Sequence, residues 1–268
     1  MTESASVPAP AATAASAKRS RITAVTSGKG GVGKTFVAAN LAAALARQGQ
    51  RVLVLDADLG LANLDVVLNL FPKITLHDVF TGKNTLNEAI LPAPGGFSVL
   101  LAGSGMVEYS RMTPEVREQL QKVIDEVAPR FDRVLLDTGA GISDVVLYTV
   151  SLADDVLVVA TPEPTSLTDA YATIKVLATT QGRRAVQLLV NQVRRPGEGR
   201  AVHHQLQLVV DRYVSPGLDA ALRIEFVGEL PSDPAVRDAV QHRQLLLEAM
   251  PGAPASVAMV GVATRLLA

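Results

Sequence analysis

Eight consecutive residues, Gly28-Lys29-Gly30-Gly31-Val32-Gly33-Lys34-Thr35, combine close-set glycines with two lysines and a hydroxyl. Glycines at this density let successive backbone N–H groups curl into a concave nest of donors, which suits an anion such as phosphate. The stretch fits G-x-x-x-x-G-K-[ST]. In that pattern the lysine reaches the β- and γ-phosphates of a nucleoside triphosphate, and the hydroxyl ligates Mg²⁺. Those roles fall to Lys34 and Thr35, and Phe36 follows them into a helix whose N-terminal dipole adds positive potential. Lys29, directly after the first glycine, is an extra cation that the pattern does not require.

Phosphoryl chemistry also needs carboxylates near the metal and the attacking water. Asp137 closes the apolar run Val134-Leu-Leu and opens Asp-Thr-Gly-Ala-Gly. An aspartate there can hold Mg²⁺, usually through water, as the partner of Thr35, and the glycines let the segment move when the γ-phosphate leaves. A helix N-cap is the alternative for such an aspartate. Asp56-Ala-Asp58 is a second cluster, in which one acid would support the metal shell and the other would orient water. Asp58-Leu-Gly60 also reads as a turn.

These residues need a scaffold that brings them together. Arg21–Ser27 reads as a short strand, and the alanine- and leucine-rich run from Phe36 to Ala46 as a helix ending near Gly49. Further strands are expected at 51–56, 97–101, 134–137, 155–160, 186–191 and 224–228. Helices are expected from Thr113-Pro114-Glu115 and over about 166–178. Apolar strands alternating with amphipathic helices predict a three-layer α/β/α fold around a mostly parallel, twisted sheet. Such sheets bind ligands at the carboxyl ends of their strands, where Gly28 onward, Asp56, Asp58, Asp137 and Asn191 all fall. Residues 1–20, rich in Ala, Ser, Thr and Pro, read as a disordered tail, and 21–268 as one domain.

Composition narrows the classes. The chain has 268 residues with a net charge of −1, which argues against direct DNA binding through a general electrostatic drive. Aromatic residues make up 4% and Trp is absent, so base-stacking platforms are poorly supplied. The absence of cysteine removes disulfides, thiolate metal sites and iron–sulfur ligation, and suits a reducing cytosol. No apolar run reaches the length of a membrane span.

Lys29, the stretch Asp56-Ala-Asp-Leu-Gly-Leu-Ala-Asn63-Leu-Asp65 and Asp137-Thr-Gly-Ala-Gly141 together resemble the MinD/ParA class of deviant phosphate-loop ATPases, P-loop NTPases of the SIMIBI type. The resemblance implies a Mg²⁺-dependent ATPase active as an ATP-bound homodimer. Lys29 would reach the partner's ATP, Asp58 would orient water, Asp56 would stand on the metal side with Thr35 and Asp137, and Asn63 would meet the partner subunit. It also implies that Asn191 reads adenine, with Leu230-Pro231 in a loop beside the base. Glycines 28, 30, 31 and 33 and Val32 would line the phosphates.

Within the class, residues 56–68 and Glu163-Pro-Thr-Ser-Leu-Thr-Asp-Ala-Tyr-Ala-Thr-Ile-Lys175 are similar to the flagellar-number regulators, the FlhG (FleN) group. This implies negative regulation of flagellar number or placement. The expected partners are an SRP-type flagellar GTPase (FlhF-like) and a flagellar master transcription activator, and the expected location is cytoplasmic, peripheral on the inner membrane face at a pole. A MinD-like cell-division regulator and a ParA-like DNA-partition ATPase are the alternatives. The activator motif containing Asp-Gln-Ala that opens some relatives is missing from Met1–Ser20. The terminal run from Ala255 carries one cation, Arg265, which favours a packed helix over a membrane-binding one. The Arg194-Arg195…Arg200 loop reads as solvated, and His203-His204 as surface or core filling.

Overall fold

Handedness dictates where each helix lies. In the computed structural model, which describes residues 20–60, 62–103 and 111–268, the strands are β1 (Arg21–Ser27), β2 (Val52–Ala57), β3 (Ile90–Pro92), β4 (Ser98–Leu100), β5 (Arg133–Ala140), β6 (Asp155–Ala160), β7 (Ala185–Val193) and β8 (Arg223–Pro231). They form one sheet in the order β3-β4-β2-β5-β1-β6-β7-β8. Every neighbouring pair is parallel except β3 with β4. The expected tail, apart from Ser20, lies outside the described residues.

The helices are α1 (Lys34–Arg47), α2 (Leu64–Leu68), α3 (Leu76–Phe80), α4 (Leu86–Ala89), α5 (Pro114–Val127), α6 (Asp144–Ser151), α7 (Pro164–Gln181), α8 (Glu198–Tyr213), α9 (Pro234–Gln241), α10 (Leu246–Ala249) and α11 (Pro254–Leu267). Parallel crossovers are right-handed, so connections running in opposite directions along the sheet put their helices on opposite faces. The β1-to-β2 step carries α1 to one face. The steps through β5, β6, β7 and β8 run the other way and place α5 to α8 on the second face. After β8 the chain returns across the first face as α9 to α11.

Two apolar layers result. One joins α1, α10 and α11 to the sheet through Leu41, Leu45, Leu246, Met259 and Val262. The other packs α5 to α8 through Leu120, Val150, Ile174 and Val210. Strand β2 is buried along its whole length, as expected for a strand covered on both faces. The last helix packs against β8 and α1, in agreement with the packed reading of the terminal run. No helix among the described residues is long and apolar enough to cross a membrane.

Two local expectations shift. Strand β5 runs through Ala140, past the expected end at Asp137, because Ala140 still registers with Ser27 of β1. Leu230-Pro231, expected in a loop, closes strand β8 instead. Leu230 is 1% exposed and its side chain belongs to the core. β8 is an edge strand, where a terminal proline costs little in ladder hydrogen bonds.

Candidate functional site

Where β1 ends, Ser27 Oγ donates to the Lys29 carbonyl at 2.7 Å and curls the chain back on itself. Gly31 and Gly33 adopt φ of 77° and 94°, the left-handed region in which glycine carries no penalty. Gly28 serves packing instead, since a Cβ there would overlap the Asp169 carbonyl of α7. Helix α1 then starts with no side-chain cap and no acidic residue in its first turn, so its leading N–H groups remain for an external anion. The loop floors a cleft of about 690 Å³, closed on its other sides by Asp58, Gly60, Asn63, Gly139, Ser143 and Val146.

The electrostatics of this cleft are unusual for apolar surroundings. Lys34 is 9% exposed, and burial lowers its pKa against the attraction of Asp137 and Asp58. Asp137 is pushed up to about 7 by burial, opposed by a hydrogen bond from Thr35 and by the Lys34 charge. Asp56 faces Asp137 in register across β2 and β5, and burial, then Asp137, hold its carboxyl well above the usual range. It accepts the N–H groups of Asp58 and Leu64, both at 3.3 Å, and so ties the end of β2 to the start of α2. Asp58 sits where a Cβ on Gly139 would lie 3.3 Å from its Oδ1, so that glycine leaves room for the carboxylate.

Most of the residues expected to act together therefore meet: Gly30, Gly31, Gly33, Lys34, Thr35, Phe36 and Asp58 line the cleft, and Asp137 bonds Thr35, whereas Gly28 packs on α7 and Val32 is buried. Lys29 does not point into it. Its Nζ donates to Glu163 Oε2 and Thr165 Oγ1, each at 3.0 Å, at the start of α7. Neither partner was legible as such, although a carboxylate and a hydroxyl in Glu163-Pro-Thr-Ser at a strand end were the available signal. Asn191 is buried at the end of β7, with Nδ2 on the Val32 carbonyl. The loop expected over 194–200 ends sooner, because α8 begins at Glu198 and takes in Arg200, and Glu229 accepts the N–H groups of Gly197 and Gly199 at 2.7 Å each. His203 is half-buried against Phe226 and the Ile224 carbonyl, consistent with a filling role.

The donor set fits a phosphate–Mg²⁺ pair. Asp137 Oδ1 is buried without a hydrogen-bond partner, an acceptor that a cation or its water would satisfy. The local donors are hydroxyl and carboxylate oxygens, which suit Mg²⁺. Among the described residues no group of three or more His, Cys, Asp or Glu forms a cage of the kind that softer metals use.

Sequence comparison supplies the lineage. The ParA family model, described as a NUBPL iron-transfer P-loop NTPase, matches residues 18–267. Antiactivator FleN of Pseudomonas aeruginosa is 44% identical over 245 residues, 91% of this chain and 85% of that protein. Flagellum site-determining protein YlxH of Helicobacter pylori is 34% identical, covering 85% of this chain and 75% of that protein. Among solved structures, the MinC:MinD cell division complex of Aquifex aeolicus superposes with a TM-score of 0.75 at 28% identity, covering 92% of this chain and 96% of that chain. Septum site-determining MinD complexed with Mg-ADP from Pyrococcus horikoshii gives 0.73 at 26% identity, covering 92% and 96%. The chain thus belongs to the ParA/MinD family of P-loop NTPases.

Proposed function

We propose that this protein is an ATP-driven dimerisation switch that restrains flagellar number or placement. One observation carries the mechanism: Lys29, on the phosphate loop, turns away from its own cleft to the exposed start of α7. A cation placed there is available to a second subunit's phosphates, where it would neutralise charge developing in the transition state. The biological role is supported by the 44% likeness to an antiactivator, FleN, against 35% for the septum site-determining MinD of Bacillus subtilis. The iron transfer named in the family description has no thiolate to use in this sequence.

In this reading the loop N–H groups and Lys34 hold the phosphates of ATP. Thr35 and Asp137 would hold Mg²⁺, with buried Asp56 beside them on the metal side and setting the position of the segment that carries Asp58. Mg²⁺ supplies charge neutralisation on the β- and γ-phosphates when bound. Asp58 orients the attacking water, which needs placement more than strong basicity. Partners in the same reading are a second copy of this chain, an SRP-type flagellar GTPase and a flagellar master transcription activator. The protein would work in the cytoplasm, peripheral to the inner membrane face at a pole.

Light scattering tests the mechanism. Asp58→Ala with Mg-ATP is expected to run as a stable dimer and, with Mg-ADP, as a monomer. A monomer with ATP demonstrably bound rejects it. Deletion of the gene is expected to raise flagellar counts per cell, and unchanged counts reject the biological role.

A further inference from the structure

Between β8 and α11 the chain makes an excursion through α9 and α10, and one side chain ties its two ends. Asp233 Oδ1 accepts the Ala235 N–H at 2.9 Å, and Oδ2 accepts the Ala255 N–H, 22 residues further on, at 3.0 Å. A single carboxylate thus serves the first turns of two helices, where N–H groups lack internal partners. The tip of the excursion is tied to α1, the helix that follows the phosphate loop. Asn40, 1% exposed, accepts the Leu247 N–H through Oδ1 at 3.1 Å. Further along α1, Arg47 donates to the Leu247 carbonyl at 2.8 Å. Both backbone groups of one residue are therefore held. Leu245, Leu246 and Leu247 are at most 3% exposed, and Gly95 leaves room for the first: a Cβ there would lie 2.7 Å from its Cδ2. Between neck and tip the packing is thin, since Ala239 is the only buried residue of α9.

We propose that residues 233–255 form a strap that opens and closes on α1 as one unit, clasped at the neck by Asp233 and at the tip by Asn40 and Arg47. The closed strap holds α1 where its first turn can meet an anion. Segments with few buried contacts open locally, at a free energy below that of global unfolding. Loss of either tie then releases the whole excursion rather than the residues beside it. No residue of the strap lines the cleft, so its hold acts through the helix. That hold rests on residues 28–35 being a triphosphate site.

Hydrogen exchange read by mass spectrometry on the full chain tests both parts. Asp233→Asn keeps a cap for Ala235 but has no second acceptor for Ala255, and Asn40→Ala removes the tie at the other end. Each is expected to speed exchange across 236–250 by a common factor, about ten-fold for one lost hydrogen bond, with α5 to α8 unchanged. Faster exchange confined to 235–237 and 255–257 in the first variant, or to 246–249 in the second, overturns the strap. Bound Mg-ATP is expected to slow the 246–250 amides of the wild-type chain several-fold, because the open state binds it more weakly. Unchanged exchange there, with binding established by calorimetry, overturns the hold on α1. A wild-type chain that binds no Mg-ATP overturns the nucleotide reading and that hold with it.

Discussion

The phosphate loop carries two lysines five positions apart, and the fold treats them oppositely. Lys34 opens α1, is buried to 9% exposure, and sits within reach of two carboxylates that oppose its desolvation. Lys29 lies on the other side of the loop with its side chain 38% exposed, paired to a carboxylate that is itself 61% exposed. A buried charge is costly to place and strong once placed, because few water dipoles screen it. An exposed pair of this kind contributes at most about 1 kcal/mol and is easily exchanged for another partner. The difference separates a residue built to grip from one built to let go.

The largest expected effect lies on the buried side. Lys34→Ala should weaken Mg-ATP binding by about 100-fold or more, as loss of a buried charge contact of several kcal/mol requires. Calorimetric titration reads this directly, and a loss of only two- or three-fold would erase the contrast between the lysines. Lys29→Ala should leave ATP affinity within about three-fold, as expected for a screened surface charge, while turnover and the ATP-dependent dimer disappear. If both variants behave alike, the proposed action of Lys29 on a second subunit is wrong.

Asp137 sharpens the comparison through pH. Its carboxyl takes a proton more readily in the folded chain, where its pKa is about 7, than in the unfolded one. Its contribution to stability is therefore fullest below the ordinary carboxylate pKa of about 4 and is lost as pH rises from there through about 7. In nucleotide-free protein, Asp137→Asn should remove up to about 1.4 kcal/mol per pH unit from that decline, seen in urea midpoints between pH 4 and 8. An unchanged slope would mean the carboxylate is better solvated than its surroundings imply. The smallest effect belongs to the exposed side: Glu163→Gln keeps a hydrogen-bond acceptor for Lys29 and should change stability by less than about 1 kcal/mol.

The same contrast tells which features are legible in the sequence. The glycine loop, Thr35, Asp58 and Asp137 can be read because each sits where a local pattern changes, from apolar strand to glycine or carboxylate. Strand β6 over Asp155–Ala160 can be read for the same reason, an apolar run between polar ends. The partners of Lys29 cannot, since Glu163 lies 134 positions away and meets it only once β1 pairs with β6. The extra length of β5 depends likewise on the β1 ladder, which overrides the loop preference of Gly139. Leu230-Pro231 is placed in a loop by the resemblance alone, and its position at the end of an edge strand needs the sheet order. Asn191 is found by its place at a strand end, but its bond to the loop comes with a left-handed backbone turn at Gln192, φ 60°, that no local signal announces.

That bond spans 159 residues, from the end of β7 back to the turn between β1 and α1. A chain leaving the ribosome amino end first makes its glycine loop early and must wait for β5, β6 and β7 before the loop is braced. Closing such distant pairings is the slow part of building a parallel sheet. An unfinished chain would thus carry the motif without the grip, and capture of nucleotide would mark the moment at which the centre of the sheet has closed.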